Sequence, residues 1–225
     1  MSNAVSKAVS NKVIEVVDRR RRIAMAGHQG DEAQARRALD DPEGDVRATA
    51  LGALHRMGRL SEEDVAAGLA DPTAAVRRRA CEVSVVASVA RIRAALDDLD
   101  PLVVEAACFA LGERLAGAAG PADDPDPSVP KLVAVATGHR DPLSREAAIA
   151  ALGAIGHPAG LDAILAALDD KPAVRRRAVI ALAPFDGPAV DAALARARLD
   201  RDWQVRQAAE DLSSPTDSGG PPTER

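Results

Sequence analysis

The sequence predicts an all-α protein, a right-handed α-solenoid of about six helix-pair repeats, from three observations. A short segment recurs about every 30 residues along most of the 225-residue chain. Alanine occupies 49 positions, and apolar residues in each copy lie four apart, as on one face of a helix. Aromatic residues make up only 1% of the chain, so the core must be filled by small side chains in closely packed layers.

The recurring segment is five residues long and has alanine in its fifth position in all six copies. Five of the six copies have arginine in the second position. The copies begin at Val46, Val76, Val103, Ser144, Val174 and Val205. Apolar residues in the first, fifth and ninth positions give each helix one buried stripe. The constant alanine predicts that another backbone comes close at that point, because a larger side chain would hold the helices apart.

Turn signals and a second helix complete each repeat. Four Asp-Pro pairs occur at residues 41–42, 71–72, 100–101 and 141–142. Asp caps the free N–H groups of a helix and Pro is tolerated in its first turn, so these pairs predict helix starts. A further short helix fits between copies, as in residues 61–70, which open with a capping-box pattern at Ser61, and residues 161–168. Such pairs must stack on neighbours to bury both faces.

Residues 150–178 resemble the short HEAT-like repeat of the phycobilin-lyase type, from Ala-Ala-Leu-Gly at 150–153 to Val-Arg-Arg-Arg-Ala at 174–178. The resemblance covers about residues 10–212 and implies the solenoid fold, whereas repeats of this kind serve many scaffolds and a few enzymes. In HEAT-like proteins, an acidic residue upstream of each segment commonly pairs with the second-position arginine of a neighbour. The resemblance therefore implies a structural ladder of Asp41, Arg47, Asp71, Arg77, Asp169, Arg175, Asp200 and Arg206. In the acidic column only His139 departs.

The repeats divide the chain into three parts. Residues 1–28 predict an amphipathic N-terminal capping helix, and residues 29–212 the solenoid itself. The helix signal consists of Val5, Val9, Val13, Val16, Val17 and Ile23. An inserted acidic loop at residues 117–130 holds four prolines and two glycines and explains the one spacing of 41 residues between copies. Residues 213–225 have the composition of a disordered tail.

Four arginines occupy positions of the segment where the other copies do not have arginine. Other copies carry Ala, Thr, Glu or Gln in these columns, so the four are expected on the surface as anchors for an acidic partner. They are Arg78, Arg79, Arg176 and Arg177, with Glu105 and Glu146 setting the charge pattern between them. A solvated face is the other interpretation of the same residues. The cluster at residues 19–22 is spread around its helix and cannot form one flat patch.

Cysteine, histidine and tryptophan often occur in active or binding sites, but in this sequence their positions have structural explanations. Cys81 and Cys108 occupy one column that otherwise holds apolar residues, so they are expected as reduced core residues without a disulfide. His28 and His157 lie several repeats apart and are not expected to share a metal. Trp203 lies in the last repeat, where capping the core explains it. No His-Glu dipeptide, phosphate-binding glycine loop or Gly-x-Ser-x-Gly motif occurs, so no catalytic, metal or cofactor residue is assigned.

Charge and composition narrow the function. The net charge of −5 argues against a dedicated nucleic-acid binder, and no apolar run approaches the length needed to cross a membrane. The protein is expected in the cytoplasm, and 25 arginines against 4 lysines indicate a bacterial genome of high GC content. We expect a non-catalytic protein-binding scaffold or adaptor without a cofactor. The alternative is an enzyme or enzyme subunit of the HEAT-like bilin-lyase or DNA-glycosylase type.

Overall fold

The fold is seen in a computed structural model that describes residues 2–118, 120 and 124–213, with side chains from Lys12 to Leu212. The chain divides into two compact units, Met1–Leu115 and Ala116–Arg225, here called unit 1 and unit 2. Every regular element in the described residues is helical, which confirms the predicted all-α fold of stacked helix pairs. Parts of the predicted loop, residues 119 and 121–123, and the predicted tail from residue 214 onward lie outside the described residues.

Unit 1 begins with a long helix and continues with three helix pairs in its described part. The helices are α1 Ser2–Gln29, α2 Glu32–Arg37, α3 Gly44–Arg56, α4 Glu62–Leu69, α5 Ala74–Glu82, α6 Val89–Ala94 and α7 Pro101–Leu115. Single 3₁₀ turns at Ala38–Asp40, Ser84–Val86 and Ala95–Asp97 join helices within this series. The first helix of each pair, α2, α4 or α6, packs on the second, α3, α5 or α7.

Unit 2 contains three further pairs in its described residues. The helices are α8 Ser128–Gly138, α9 Pro142–Ile155, α10 Leu161–Ala166, α11 Pro172–Ala181, α12 Pro188–Ala197 and α13 Trp203–Ser213. The 3₁₀ turns Pro158–Gly160 and Ala167–Asp169 flank α10. Second helices pack on one another in sequence, α9 on α11 and α11 on α13, as α1, α3, α5 and α7 do in unit 1.

The alanines in the fifth position of the segment lie in the core of each unit. All six are fully buried, with no exposed surface: Ala50, Ala80, Ala107, Ala148, Ala178 and Ala209. First- and ninth-position residues such as Val46 and Leu54 are buried on the same stripe. The core therefore follows the four-residue spacing. At Ala80 the first helix of the pair comes close, because a Cβ atom built on Gly68 of α4 would lie 3.0 Å from Cβ of Ala80.

Glycine permits an even closer approach at one position of the second helices. A Cβ atom built on Gly27 of α1 would lie 3.0 Å from Cα and Cβ of Ala53 in α3. At the corresponding position in unit 2, a Cβ on Gly153 of α9 would lie 2.7 Å from Cα and Cβ of Ala181 in α11. Since real Cβ atoms do not come this close to backbone, each glycine sets the distance between its two helices.

Helix starts agree with the sequence only in part. Asp141 caps α9 through the N–H groups of Leu143 and Ser144, and Ser61 forms a capping box with Asp64 at α4. Asp41 and Asp71 accept the N–H groups of Glu43 and Thr73, which precede the first residues of α3 and α5, so these two carboxylates do not cap a helix. These two Asp-Pro pairs therefore form turns that precede the helix, because the arginine ladder described below uses the same carboxylates.

The N-terminal helix is less amphipathic than its valines suggest. Val16 is half-buried and Ile23 is buried, but Val13 and Val17 are exposed by 57% and 53%. Val5 and Val9 lie outside the residues whose side chains are described. The buried side of α1 is therefore narrower than the valine pattern predicts.

The two cysteines are core residues. Cys81 and Cys108 are buried and not bonded to each other. Burial raises the pKa of each thiol to about 12, so neither is a reactive thiolate near neutral pH. The prediction that both are core residues is confirmed by their burial.

Candidate functional site

In each ladder pair, the arginine donates hydrogen bonds both to its own repeat and to the next repeat. Arg47 donates from Nε and Nη2 to the Asp71 carboxylate at 2.8 and 2.7 Å. Its Nη1 donates to the carbonyl oxygens of Asp41 and Pro42 in its own turn, at 2.8 and 3.2 Å. The same two-pronged contact recurs at Arg77–Asp98, Arg145–Asp170 and Arg175–Asp200, with distances between 2.6 and 2.9 Å. Arg19 of α1 extends the series to Asp41, at 3.2 Å.

One predicted ladder residue is wrong. The column puts Asp169 in the ladder, whereas the structure places Asp170 there, and Asp169 forms an exposed pair with Arg196 at 3.4 Å. The cause is a turn that is one residue shorter than the others. Arg175 donates to the carbonyl of Asp170, five residues upstream, whereas the other arginines reach a carbonyl six residues upstream.

The ladder is also modified at three places in the sequence. His139 replaces the carboxylate in its turn, and its Nδ1 accepts the N–H of Asp141 at 3.1 Å. Val104 occupies the arginine position in α7, where no charge is available. Arg206 of the last repeat donates to the carbonyl oxygens of Asp200 and Arg201.

These pairs explain the ionisation of the ladder carboxylates. Hydrogen bonds from the partner arginine, opposed by burial, lower the pKa of Asp98, Asp170 and Asp200 below the ordinary Asp value. At Asp71 burial is the largest single effect and raises the pKa. The hydrogen bonds from Arg47 and from the Thr73 N–H together outweigh it, so the pKa is still lowered. Such perturbation comes from structural ion pairs, so it does not mark a catalytic site.

Acid is expected to destabilise the protein through these carboxylates. A folded-state pKa below the unfolded value contributes stability that is complete above the unfolded pKa, about 4, and is lost as pH falls further. Urea unfolding followed by circular dichroism should give a constant free energy between about pH 7 and 5 and a steep decline below about pH 4. A free energy that stays level down to pH 3 would contradict this assignment.

The four surplus arginines differ in their surroundings. Arg78 and Arg79 of α5 both pair with Glu82, at 3.4 and 2.6 Å, and Arg177 pairs with Glu146 of α9 at 3.6 Å. Glu105 is half-buried on α7. Within the described residues, Nε of Arg78, of Arg176 and of Arg177 has no hydrogen-bond partner. Arg79 and Arg176 line grooves, so the structure separates them from the other two predicted anchors.

A groove of about 510 Å³ lies along α11 and α13 in unit 2. It is here called the tryptophan groove, and it is lined by Arg176, Ile180, Ala183, Trp203, Gln204, Gln207, Ala208, Asp211 and Leu212. Trp203 is 64% exposed and Ile180 is 45% exposed. The prediction that Trp203 caps the core is therefore wrong, because its side chain at the start of α13 faces the groove instead of the buried stripe.

A second groove, of about 470 Å³, lies across α1, α3 and α5 in unit 1. It is here called the basic groove, and it is lined by Arg20, Ala24, Thr49, Gly52, Ala53, His55, Arg56, Arg79 and Val83. Among the described residues, none of those that line it carries a carboxylate. The sequence pattern missed His55 and Arg56 and set Arg20 aside with the other arginines of residues 19–22.

Other functional classes find little support in the described residues. No group of three or more His, Cys, Asp or Glu side chains in the described ranges is placed to hold a metal ion. His157 is buried, with Nδ1 accepting the N–H of Ala159, whereas His28 is exposed. No helix among the described residues is long and apolar enough to span a membrane.

Comparison with known proteins supports the fold. No curated protein matches the sequence. An engineered protein of known structure aligns over 81% of this chain and 94% of its own, with 19% identity and a TM-score of 0.53. Human deoxyhypusine hydroxylase (22% identity, 86% and 77% coverage, TM-score 0.44) and a designed armadillo repeat protein (17%, 84% and 84%, 0.43) are more distant in shape.

The sequence of unit 2 matches a known repeat directly. A family model described as HEAT repeats matches residues 129–213, which run from α8 to the end of α13. The stacked helix pairs of both units carry the same five-residue segment and the same arginine ladder. Residues 129–213 therefore match HEAT repeats, and the helix pairs of unit 1 resemble them in segment and ladder.

Proposed function

We propose that this protein is a non-catalytic protein-binding scaffold that holds its partner against the second helices of its repeats. The observation that carries the proposal is the tryptophan groove, in which an exposed Trp203 lies with exposed Ile180 and with Arg176. Trp and Arg are enriched at the energetic centres of protein interfaces, and a large exposed aromatic has no role in the core. Gln204 and Gln207 supply hydrogen-bonding groups at the same groove.

Charge supports a partner with an acidic patch. Arg176 and Arg79 are the surplus arginines that line grooves, although Arg79 also pairs with Glu82, whereas Arg78 and Arg177 line neither groove. We therefore retain Arg79 and Arg176 as the principal anchors. The proposal includes a protein partner in the cytoplasm and requires no cofactor.

Replacing Trp203 with alanine is expected to weaken partner binding strongly. Peptides selected from a random display library on the full chain should include binders that lose about 30-fold affinity, about 2 kcal/mol, to Trp203→Ala. Trp203 is the one tryptophan in the sequence, so its emission reports directly on occupancy of the groove. In the unmodified protein and in variants that keep Trp203, titration followed by this emission locates the peptide. Anisotropy of fluorescein-labelled peptides measures the affinity, also for Trp203→Ala, which has no tryptophan.

Phe109 offers a matched control. It lies on α7 in unit 1 and is 65% exposed, much like Trp203, but it lines neither groove. Phe109→Ala should leave the affinity and the emission change intact. Selection that yields no binder, or binders equally sensitive to both changes, would refute the proposal. Salt-dependent binding of DNA, or visible absorbance from a bound tetrapyrrole, would favour the enzyme alternative instead.

A further inference from the structure

The basic groove of unit 1 has a chemistry different from that of the tryptophan groove. Three guanidinium groups, from Arg20 on α1, Arg56 on α3 and Arg79 on α5, converge on one cavity with the imidazole of His55. The hydroxyl of Thr49 is the remaining side-chain polar group in the lining. An anionic ligand is the one that such a lining attracts.

The floor of this groove is made of very small residues. Ala24, Gly52 and Ala53 line it, and a Cβ atom built on Gly52 would lie 3.9 Å from Cδ and Nε of Arg79. The Arg79 stem therefore passes over the bare backbone of α3. An Arg56 Nη1 atom similarly lies 3.4 Å from the Cβ position of Gly27. Both arginines thus extend across a neighbouring helix and leave an open channel above α3.

The positive charge of the groove is only partly neutralised inside the protein. Arg79 pairs with Glu82 at 2.6 Å, and Arg20 pairs with Asp45 at 3.6 Å, all with side chains between 36% and 55% exposed. Exposed pairs of this kind contribute little and exchange readily. Among the described residues, Arg56 forms no ion pair. A ligand carboxylate can therefore bind Arg56 and compete for the other two arginines.

We propose that the basic groove binds an acidic peptide segment of a protein partner, with its carboxylates on Arg20, Arg56 and Arg79. The inference rests on the proposed function and deepens it by naming a second contact and its chemistry. A short acidic segment fits better than a nucleic acid, because it can place its few carboxylates on the arginines, whereas a long phosphate backbone would also run past the carboxylates of Asp45 and Glu82. The chain also carries a net charge of −5.

The test uses a fluorescein-labelled hexaglutamate peptide and the full chain, with affinity measured by fluorescence anisotropy. Arg56→Gln combined with Arg79→Gln should weaken binding at least about tenfold, since two charge-assisted hydrogen-bond partners are lost. Gly52→Leu should weaken it by about tenfold as well, because the side chain fills the channel while every charge is retained. Circular dichroism and thermal unfolding establish that each variant is folded.

Three controls bracket these variants. Gly52→Ala adds a Cβ with ordinary contact distances and should bind like the unmodified protein. Arg91→Gln removes an exposed arginine from α6, a first helix outside the groove, and should also bind normally. Hexaglutamine, the neutral counterpart of the probe, should not bind.

The outcomes separate this inference from the proposed function. Loss of hexaglutamate binding in the folded Gly52→Leu and double-arginine variants, with unchanged Trp203 emission during titration, supports an acidic-segment site in unit 1. Absence of hexaglutamate binding, or full binding by folded Gly52→Leu, overturns the inference. A single-stranded DNA that binds more tightly than hexaglutamate also overturns it. None of these results bears on peptide binding at Trp203, which is measured separately.

Discussion

Replacing Gly153 with leucine is expected to lower the free energy of unfolding by about 3 kcal/mol, since side chains forced into a closed contact typically cost 1–3 kcal/mol. A single Cβ atom at this position already lies 2.7 Å from Cα and Cβ of Ala181 and 3.1 Å from its carbonyl oxygen. These atoms belong to the backbone and Cβ of α11, which cannot rotate away as a flexible side chain could. The helices α9 and α11 must therefore move apart.

The loss of unfolding free energy should increase with the size of the side chain added at Gly153. Gly153→Ala gains about 1 kcal/mol of helix propensity, so a net loss for this variant isolates the cost of the contact. Gly138 at the end of α8 is the matched control, because a Cβ there meets no atom within 4 Å. Gly138→Leu should leave the stability within about 0.5 kcal/mol of the unmodified protein or raise it slightly. Urea unfolding measured by circular dichroism compares all three variants, and equal losses at both positions would contradict the close approach.

Replacing Asp170 with alanine should cost about 2–3 kcal/mol, near the range for breaking a buried ion pair but reduced for partial exposure. Both carboxylate oxygens accept from Arg145, at 2.6 and 2.7 Å, and one also accepts the N–H of Lys171. Arg145 and Asp170 are exposed by only 15% and 19%. Removal of the carboxylate leaves a mostly buried guanidinium without its counter-ion.

The adjacent residue, Asp169, is the control for Asp170→Ala. Asp169 is 75% exposed and its pair with Arg196 is long, so Asp169→Ala should change stability by less than about 0.5 kcal/mol. Two adjacent aspartates of equal charge thus have very different predicted effects. Thermal and urea unfolding of the two variants at pH 7 provide the measurement. A larger loss for Asp169→Ala would restore the original ladder assignment and refute the structural one.

The stripe and the ladder were predictable because both repeat along the chain. Six buried alanines share one column, and Arg47, Arg77 and Arg206 each follow the aspartate of their own turn by six residues. Asp169 was misassigned because counting back from the helix assumes turns of equal length. The Ala-Leu-Asp-Asp motif at residues 38–41, 95–98 and 167–170 carries the missing signal, since its second aspartate enters the ladder each time.

The grooves could not be predicted in the same way. Each is lined by residues from two or three helices, and the direction of each side chain depends on how neighbouring helices pack. Trp203 follows the turn that precedes α13, where the repeat pattern does not indicate burial or exposure. Sequence therefore identified Arg79 and Arg176 as unusual, but only the structure identified what surrounds them.

Because a ladder arginine contacts two repeats, the ladder affects how a chain of this kind can gain further repeats. A complete pair such as α4 and α5 holds a carboxylate that serves the preceding pair and an arginine that serves the following one, Asp71 and Arg77. The pairs that carry Val104 or His139 hold only one of the two groups. Both connecting parts are therefore present in a single complete copy. A gene segment that encodes one pair can be duplicated in frame, and the extra copy arrives with both of its connections already made.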